Sequence, residues 1–213
     1  ANELSFICDK AGINVWELID LANRHPRVNI LQPGCGVGGH CIAVDPYFIT
    51  AEFPMESRMI STARETNNYK AFWCAEKVRN AMLRFELKHG RKPAVAMMGL
   101  AFKPETDDMR EATALVMIQK LIEAGCKVKV YDPIAINECK RRIGNTVEYA
   151  TDMYDAVLNA DALLLLTEWK QFRMPSWGVV KKTMNQAVLI DGRNIYDEQD
   201  MKEIGFDYMC IGK

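Results

Sequence analysis

The sequence predicts an α/β protein: an all-helical first part built around one long helix, then a parallel, doubly wound sheet from about residue 93. Three observations predict it. Apolar residues keep helical spacing through most of the first 90 positions, and one such stripe runs unbroken from about 57 to 89. After Pro93, short apolar runs alternate with amphipathic stretches, the pattern of repeated β-α units. With 213 residues, 49% of them hydrophobic, the chain can bury a core without a metal or disulfide staple.

The elements follow in order. Leu4, Ile7, Cys8 and Ala11 mark a helix that stops at Gly12. Asn14 is a plausible N-cap for a second helix, Val15 to about Ala22, with Glu17 placed as in a capping box. From Arg24 to Val44 the periodicity gives way to Pro and Gly, and this is a loop. Asp45-Pro46 then reads as the N-cap and first turn of another helix. Ser57 to His89, with Ala71, Cys74, Ala75, Val78, Met82 and Phe85 on one stripe, is long enough to bridge two domains or support a dimer. Gly90 and Pro93 end it, which divides the chain into residues 1–90 and 91–213. Strands are predicted at Ala94–Met98, Lys127–Tyr131, Thr146–Tyr149, Leu163–Thr167, Val188–Ile190 and Phe206–Cys210, with a helix from Glu111 to Ala124.

Charge and cysteine usage exclude several classes. Lys plus Arg total 27 and Asp plus Glu 28, so a chain of net charge −1 offers no basic surface for nucleic acid or an anionic membrane. The longest strongly apolar run, Ala162–Leu166, is too short to span a bilayer, and no signal peptide opens the chain. Seven scattered cysteines, an odd number, read as reduced thiols of a cytoplasmic protein. His25, Cys35, His40 and Cys41 lack zinc-ligand spacing, so no metal is expected. The chain begins at Ala1 without Met, already inside a helix, which reads as a processed start or a piece of something longer.

Two segments carry chemistry. Between Gly34 and Asp45, glycines surround His40 and Cys41, so the backbone can approach a ligand closely. The helix starting at Asp45 would turn its positive end toward Cys41, which favours a thiolate nucleophile, and Asp45 is placed to order a water or exchange a proton. The alternative is a buried structural cysteine in a tight turn. The second segment, Gly99 to Arg110, joins a strand to a helix where open α/β sheets bind nucleotides. It has one glycine rather than Gly-x-Gly-x-x-Gly; Lys103 and Arg110 could hold phosphates, or Asp107, Asp108 and Arg110 could pair locally and cap the helix. Asp191-Gly192-Arg193 ends another strand on the same sheet edge, where Arg193 would stand beside Lys103.

Gly36-Val37-Gly38-Gly39-His40-Cys41-Ile42-Ala43-Val44-Asp45-Pro46 resembles the catalytic cysteine loop of the nucleotide-sugar 6-dehydrogenases. Gly99–Arg110 (GLAFKPETDDMR) resembles that family's C-terminal nucleotide-binding loop, and Tyr131-Asp132-Pro133 and Asp191-Gly192-Arg193 fit in the right order. The resemblance implies a Rossmann-like second part and NAD-dependent oxidation of a sugar C6 alcohol to a carboxylate, with Cys41 as nucleophile and Asp45 assisting water. It implies a UDP-sugar substrate held by Gly36, Gly38, Gly39, Phe102, Lys103 and Arg193, and Arg110 near NAD. It also implies a homodimer around the long helix, with Arg27 reaching the neighbouring subunit's substrate. His40 before Cys41 and Val44 before Asp45 resemble enzymes acting on UDP-N-acetylhexosamines, above all UDP-N-acetylmannosamine; UDP-glucose and UDP-N-acetylglucosamine are alternatives. The family's amino-terminal cofactor domain and catalytic Lys and Asn have no counterpart in these residues, so the chain is expected to be inactive alone. Two competing readings are a non-catalytic nucleotide-sugar-binding or dimerisation module, and a redox sensor pairing Cys35 with Cys41.

Overall fold

The computed structural model describes residues 1–212. Four helices come first: α1 (Asn2–Ala11), α2 (Val15–Asn23), α3 (Asp45–Glu52) and the 32-residue α4 (Arg58–His89). β1 (Ala94–Met98), α5 (Thr113–Glu123), β2 (Lys127–Tyr131), α6 (Ile136–Ile143), β3 (Glu148–Tyr149) and α7 (Met153–Val157) follow. The chain then continues through β4 (Ala162–Leu165), α8 (Trp177–Thr183), β5 (Val188–Asp191), α9 (Glu198–Ile204) and β6 (Asp207–Cys210).

All strand pairs are parallel, in the order β3-β2-β1-β4-β5-β6. The winding reverses between β1 and β4, which opens a crevice at the carboxyl ends of those strands. Successive residues of β1 and β4 serve opposite faces. Val95, Met97, Ala162 and Leu164 meet Val78 and Met82 of α4 and Met117 and Leu121 of α5. Ala96, Met98, Leu163 and Leu165 meet Val157, Val180 and Met201 of α7, α8 and α9. The strands are apolar at every position because both faces are covered.

The carboxyl-terminal half of α4 therefore belongs to the sheet's core, and the helix, about 48 Å long at its standard rise, carries its other half beyond the sheet toward the cysteine loop. Gly90, in a left-handed conformation (φ 68°), ends it. Behind the turn, the fully buried Asp161 carboxylate takes a two-point contact from Arg91 at 2.6 and 2.7 Å and the Ala94 N–H at 2.8 Å. A second attachment joins the helical part to the sheet. Trp16 Nε1 donates to the Ile211 carbonyl at 2.9 Å, and the Val15 N–H to that of Gly212 at 3.0 Å.

Four local readings are corrected. Glu17 meets the Asn14 side-chain amide at 3.2 Å, while Asn14 Oδ1 caps α2 by accepting the Trp16 N–H. Val44, not Asp45, is the cap of α3, because the Val44 and Asp45 N–H groups both donate to the Cys41 carbonyl and start the turn early. α5 starts at Thr113 rather than Glu111, since Glu111 is left-handed (φ 51°) and Ala112 is the cap. β3 is shortened at its start because only Glu148 and Tyr149 pair with β2, while the Thr146 hydroxyl turns back to the Ile143 carbonyl.

Candidate active site

The segment between α2 and α3 is laid across the carboxyl edge of the sheet by a series of specific bonds. Gly34 N–H donates to Asn2 Oδ1 at 3.0 Å. Cys35, buried, places its Sγ 3.3 Å from the Gly192 carbonyl, and its own carbonyl accepts the Thr113 hydroxyl at 3.2 Å. Asn67 of α4 grips Val37 at both backbone groups, at 2.8 and 3.0 Å.

Gly38 and Gly39 are packed most closely against the second loop. A Cβ on Gly38 would stand 2.5 Å from the Glu111 carbonyl oxygen, and one on Gly39 (φ 93°) would stand 2.8 Å from the Phe102 ring. Gly39 N–H donates to the Arg110 carbonyl at 2.9 Å, and His40 Nδ1 lies 3.3 Å from Asp108 Oδ2. The two segments singled out in the sequence are thus packed on each other. Cys41 stands exposed at their junction, and Asp45 is exposed at the first position of α3.

The edge beneath them is held by buried carboxylates. Asp132, after β2, accepts from the N–H groups of Leu100 (2.8 Å), Ile134 (2.9 Å) and Ala135 (2.8 Å) and from Trp169 Nε1 (3.1 Å). Asp191 accepts from the N–H groups of Arg193, Ile195 and Tyr196 and from the Tyr208 hydroxyl, yet its burial outweighs these bonds and raises its carboxyl above the usual value. Asp108 shows the reverse. The Arg110 guanidinium, aided by the Arg110 N–H and His40, overcomes partial burial and holds its carboxyl far below the usual range.

Charged residues that the sequence placed together take different partners. Arg193 turns to Glu168 (Nη2 to Oε1, 2.8 Å) and lies against Gly34, while Lys103 is exposed over the Phe102 ring at 5.4 Å. Arg110 pairs with Asp108 at 2.7 Å, but neither caps α5. Arg27 lies exposed in the turn after α2, its N–H on His25 Nδ1, and among the described residues no hydrogen bond or ion pair joins it to the cysteine loop. Cys35 is directed to Cys74 rather than Cys41. Hydrogen bonding from Cys74 lowers the Cys35 thiol against the effect of burial, and the Cys74 thiol is raised in turn. A Cys35–Cys41 pairing would require the buried Cys35 to leave these partners for the exposed Cys41. Among the described residues, no three His, Cys, Asp or Glu side chains converge as a metal site. No described helix is long and apolar enough to cross a membrane.

Lys70 is absent from the sequence reading. It is fully buried on α4, bonds the Ser5 hydroxyl at 2.5 Å, and faces the rings of Trp73 (3.9 Å) and Phe6 (4.7 Å). Burial lowers its pKa, against the opposing influence of Cys74 and Cys35. Its position one turn before Cys74 was the available signal.

Comparison with known proteins agrees with this geometry. Residues 1–69 match the UDP-glucose/GDP-mannose dehydrogenase family, central domain, and residues 96–198 match that family's UDP binding domain. A UDP-N-acetyl-D-mannosamine dehydrogenase of Escherichia coli K12 is 42% identical over 200 residues, 92% of this chain and 46% of the relative. One from Campylobacter jejuni is 47% identical over 174 residues, 81% of this chain and 41% of the relative. The solved UDP-D-ManNAc dehydrogenase of Pyrococcus horikoshii superposes with a TM-score of 0.80 at 32% identity, covering 99% of this chain and 47% of that one. The chain thus spans about half the length of the relatives it matches. The matched segments, the sheet order and the packed cysteine and nucleotide-edge loops make this chain a member of the UDP-glucose/GDP-mannose dehydrogenase family, comprising its central and UDP-binding domains.

Proposed function

We propose that this chain is the thiol-bearing, sugar-nucleotide-binding part of an NAD-dependent UDP-N-acetylmannosamine 6-dehydrogenase, residues 1–90 forming its central domain and 91–213 its UDP-sugar domain. The observation that carries the reading is Cys41, exposed at the junction of the glycine loop and the Gly99–Arg110 loop. The named relatives from E. coli and C. jejuni support the choice of sugar.

Lys103 and Arg193 supply cationic groups for the diphosphate, and Phe102 with Gly36, Gly38 and Gly39 forms a closely packed wall for the sugar. Cys41 Sγ adds to the C6 aldehyde carbon, forming a C–S bond and a thiohemiacetal whose oxygen takes a proton. After oxidation to the thioester, water adds to the same carbon, assisted by Asp45, and the C–S bond breaks to release the carboxylate and the thiol. When bound, NAD would supply the hydride acceptor, one molecule for each of the two oxidations. No described strand is followed by a Gly-x-Gly-x-x-Gly turn, and the contribution of this chain to the cofactor is the exposed guanidinium of Arg110, fixed in place by Asp108. The enzyme works as a cytoplasmic homodimer. The apolar residues left outside on and after α3 and at the start of α4 support the dimer, Phe48 being 71% and Met59 87% exposed. In that dimer Arg27 reaches the neighbouring substrate.

Calorimetric titration of the chain with UDP, UDP-N-acetylmannosamine, UDP-N-acetylglucosamine and UDP-glucose tests the reading. Tightest binding is expected for UDP-N-acetylmannosamine, with loss of binding in Lys103→Ala. Absence of any UDP binding by a folded sample overturns it.

A further inference from the structure

We infer that His40 is a positioning residue that, by engaging Asp108, fixes where Cys41 presents its sulfur. The inference rests on Cys41 being the reacting thiol. Both neighbours of Cys41 are anchored, and to different elements. On one side His40 Nδ1 is 3.3 Å from Asp108 Oδ2, and on the other the Ile42 carbonyl accepts from Arg64 of α4 at 3.4 Å. The His40 contact is the second point of a clasp whose first is the Gly39 N–H on the Arg110 carbonyl, at 2.9 Å.

Asp108 holds both points at once. Its Oδ1 accepts the Arg110 N–H at 2.9 Å, and its two oxygens take the Arg110 side chain at 2.7–3.1 Å. It is itself fixed from behind, since its N–H donates to Thr106 Oγ1 at 3.1 Å and its carbonyl accepts the Phe102 N–H at 3.1 Å. The Asp108 side chain is only 14% exposed, whereas that of His40 is 57% exposed, so an anchored carboxylate receives an exposed imidazole. His40 in its Nδ1–H form donates to the oxygen that also takes Arg110, and this shares one carboxylate between the thiol loop and the nucleotide loop. A nucleophile directly after such an anchor keeps its direction of approach, which matters because small misplacements of reacting groups cost large factors in rate.

The test uses His40→Ala, His40→Gln and Asp108→Asn in this chain, with hydrogen–deuterium exchange across residues 36–44 read by mass spectrometry. His40→Ala is expected to speed exchange of that segment by about fivefold, the effect of losing one partly exposed hydrogen bond. His40→Gln, which keeps an N–H for Asp108, should restore slow exchange, and His40→Ala should add nothing in an Asp108→Asn background. In the longer NAD-dependent enzyme, His40→Ala should lower kcat by about tenfold at nearly unchanged KM for the sugar nucleotide, with recovery in His40→Gln. Unchanged exchange, additive effects or failure of Gln to rescue would overturn the inference. Faster exchange with undiminished kcat overturns the positioning role and leaves the proposed function standing. A longer enzyme that makes no uronate with His40 intact overturns both.

Discussion

Gly99→Ala should be among the most damaging single-methyl additions to this chain. Gly99 closes β1 at the point where the sheet reverses, donating its N–H to the Tyr131 carbonyl of β2 at 2.9 Å while facing the end of β4. A Cβ there would lie 2.4 Å from the Thr167 backbone nitrogen and 2.5 Å from its Cβ. That is about 1 Å short of ordinary contact, and the obstacle is backbone that cannot swing aside. The left-handed φ of 91° adds a separate penalty for any L side chain. The conformational part is about 1–2 kcal/mol and the overpacking part about 1–3 kcal/mol, roughly 2–5 kcal/mol together. Against a domain stability of about 5–15 kcal/mol this is a large share, and it corresponds to a Tm lower by roughly 5–15 °C. Gly90→Ala is the control, because Gly90 has the same sign of φ (68°) but nothing within 4 Å of its Cβ. Urea unfolding followed by circular dichroism should show Gly99→Ala costing at least about 1 kcal/mol more than Gly90→Ala. Equal costs for the two variants would refute the steric reasoning.

Three further outcomes are expected. Asp132→Ala removes the acceptor of four short bonds at a residue 1% exposed, and urea unfolding should show a loss of at least about 3 kcal/mol. Lys70→Met replaces a buried charge that makes no ion pair among the described residues with a chain of similar length, so stability at neutral pH should be unchanged or higher. Because burial lowers the Lys70 pKa, the native protein gives up this proton before the unfolded chain does. Native stability from this group therefore rises with pH from its lowered value up to 10.5, and any advantage of Lys70→Met should shrink over that window, as parallel denaturant melts would show. Asp161 behaves oppositely: burial opposes its ionisation, but Arg91 and the Ala94 N–H outweigh it and lower its pKa. The stability advantage of wild type over Asp161→Asn should be present above the unfolded carboxyl value of 3.8 and vanish as pH falls through the folded value, as measured by acid titration.

The sequence is most legible where the pattern along a strand is regular. β1, buried along nearly all its length, and β2, which alternates, are read to the residue, whereas β3, at the sheet edge, depends on a two-residue pairing that no local pattern encodes. The start of α5 is misread because Glu111 adopts a left-handed turn to accommodate Gly38, a contact 73 positions away along the chain. The cysteine loop and the Gly99–Arg110 loop are visible as segments rich in Gly and charge. Their meeting through Gly39, His40, Arg110 and Asp108 is tertiary and leaves no local trace. Lys70 is hidden for a different reason, since lysine on a helix is ordinarily solvated and only its neighbours Phe6 and Trp73, on separate helices, create a place for it.

The bond between Trp16 and Ile211 joins residues 195 positions apart. A ring closed over nearly the whole chain forms late, because its ends meet only after the intervening sheet has been assembled. During synthesis α2 emerges before β6, so Val15 and Trp16 wait for their partners until that strand has been made. Until then those two residues are open to other contacts. α2 is therefore made before the sheet but fully secured only after it.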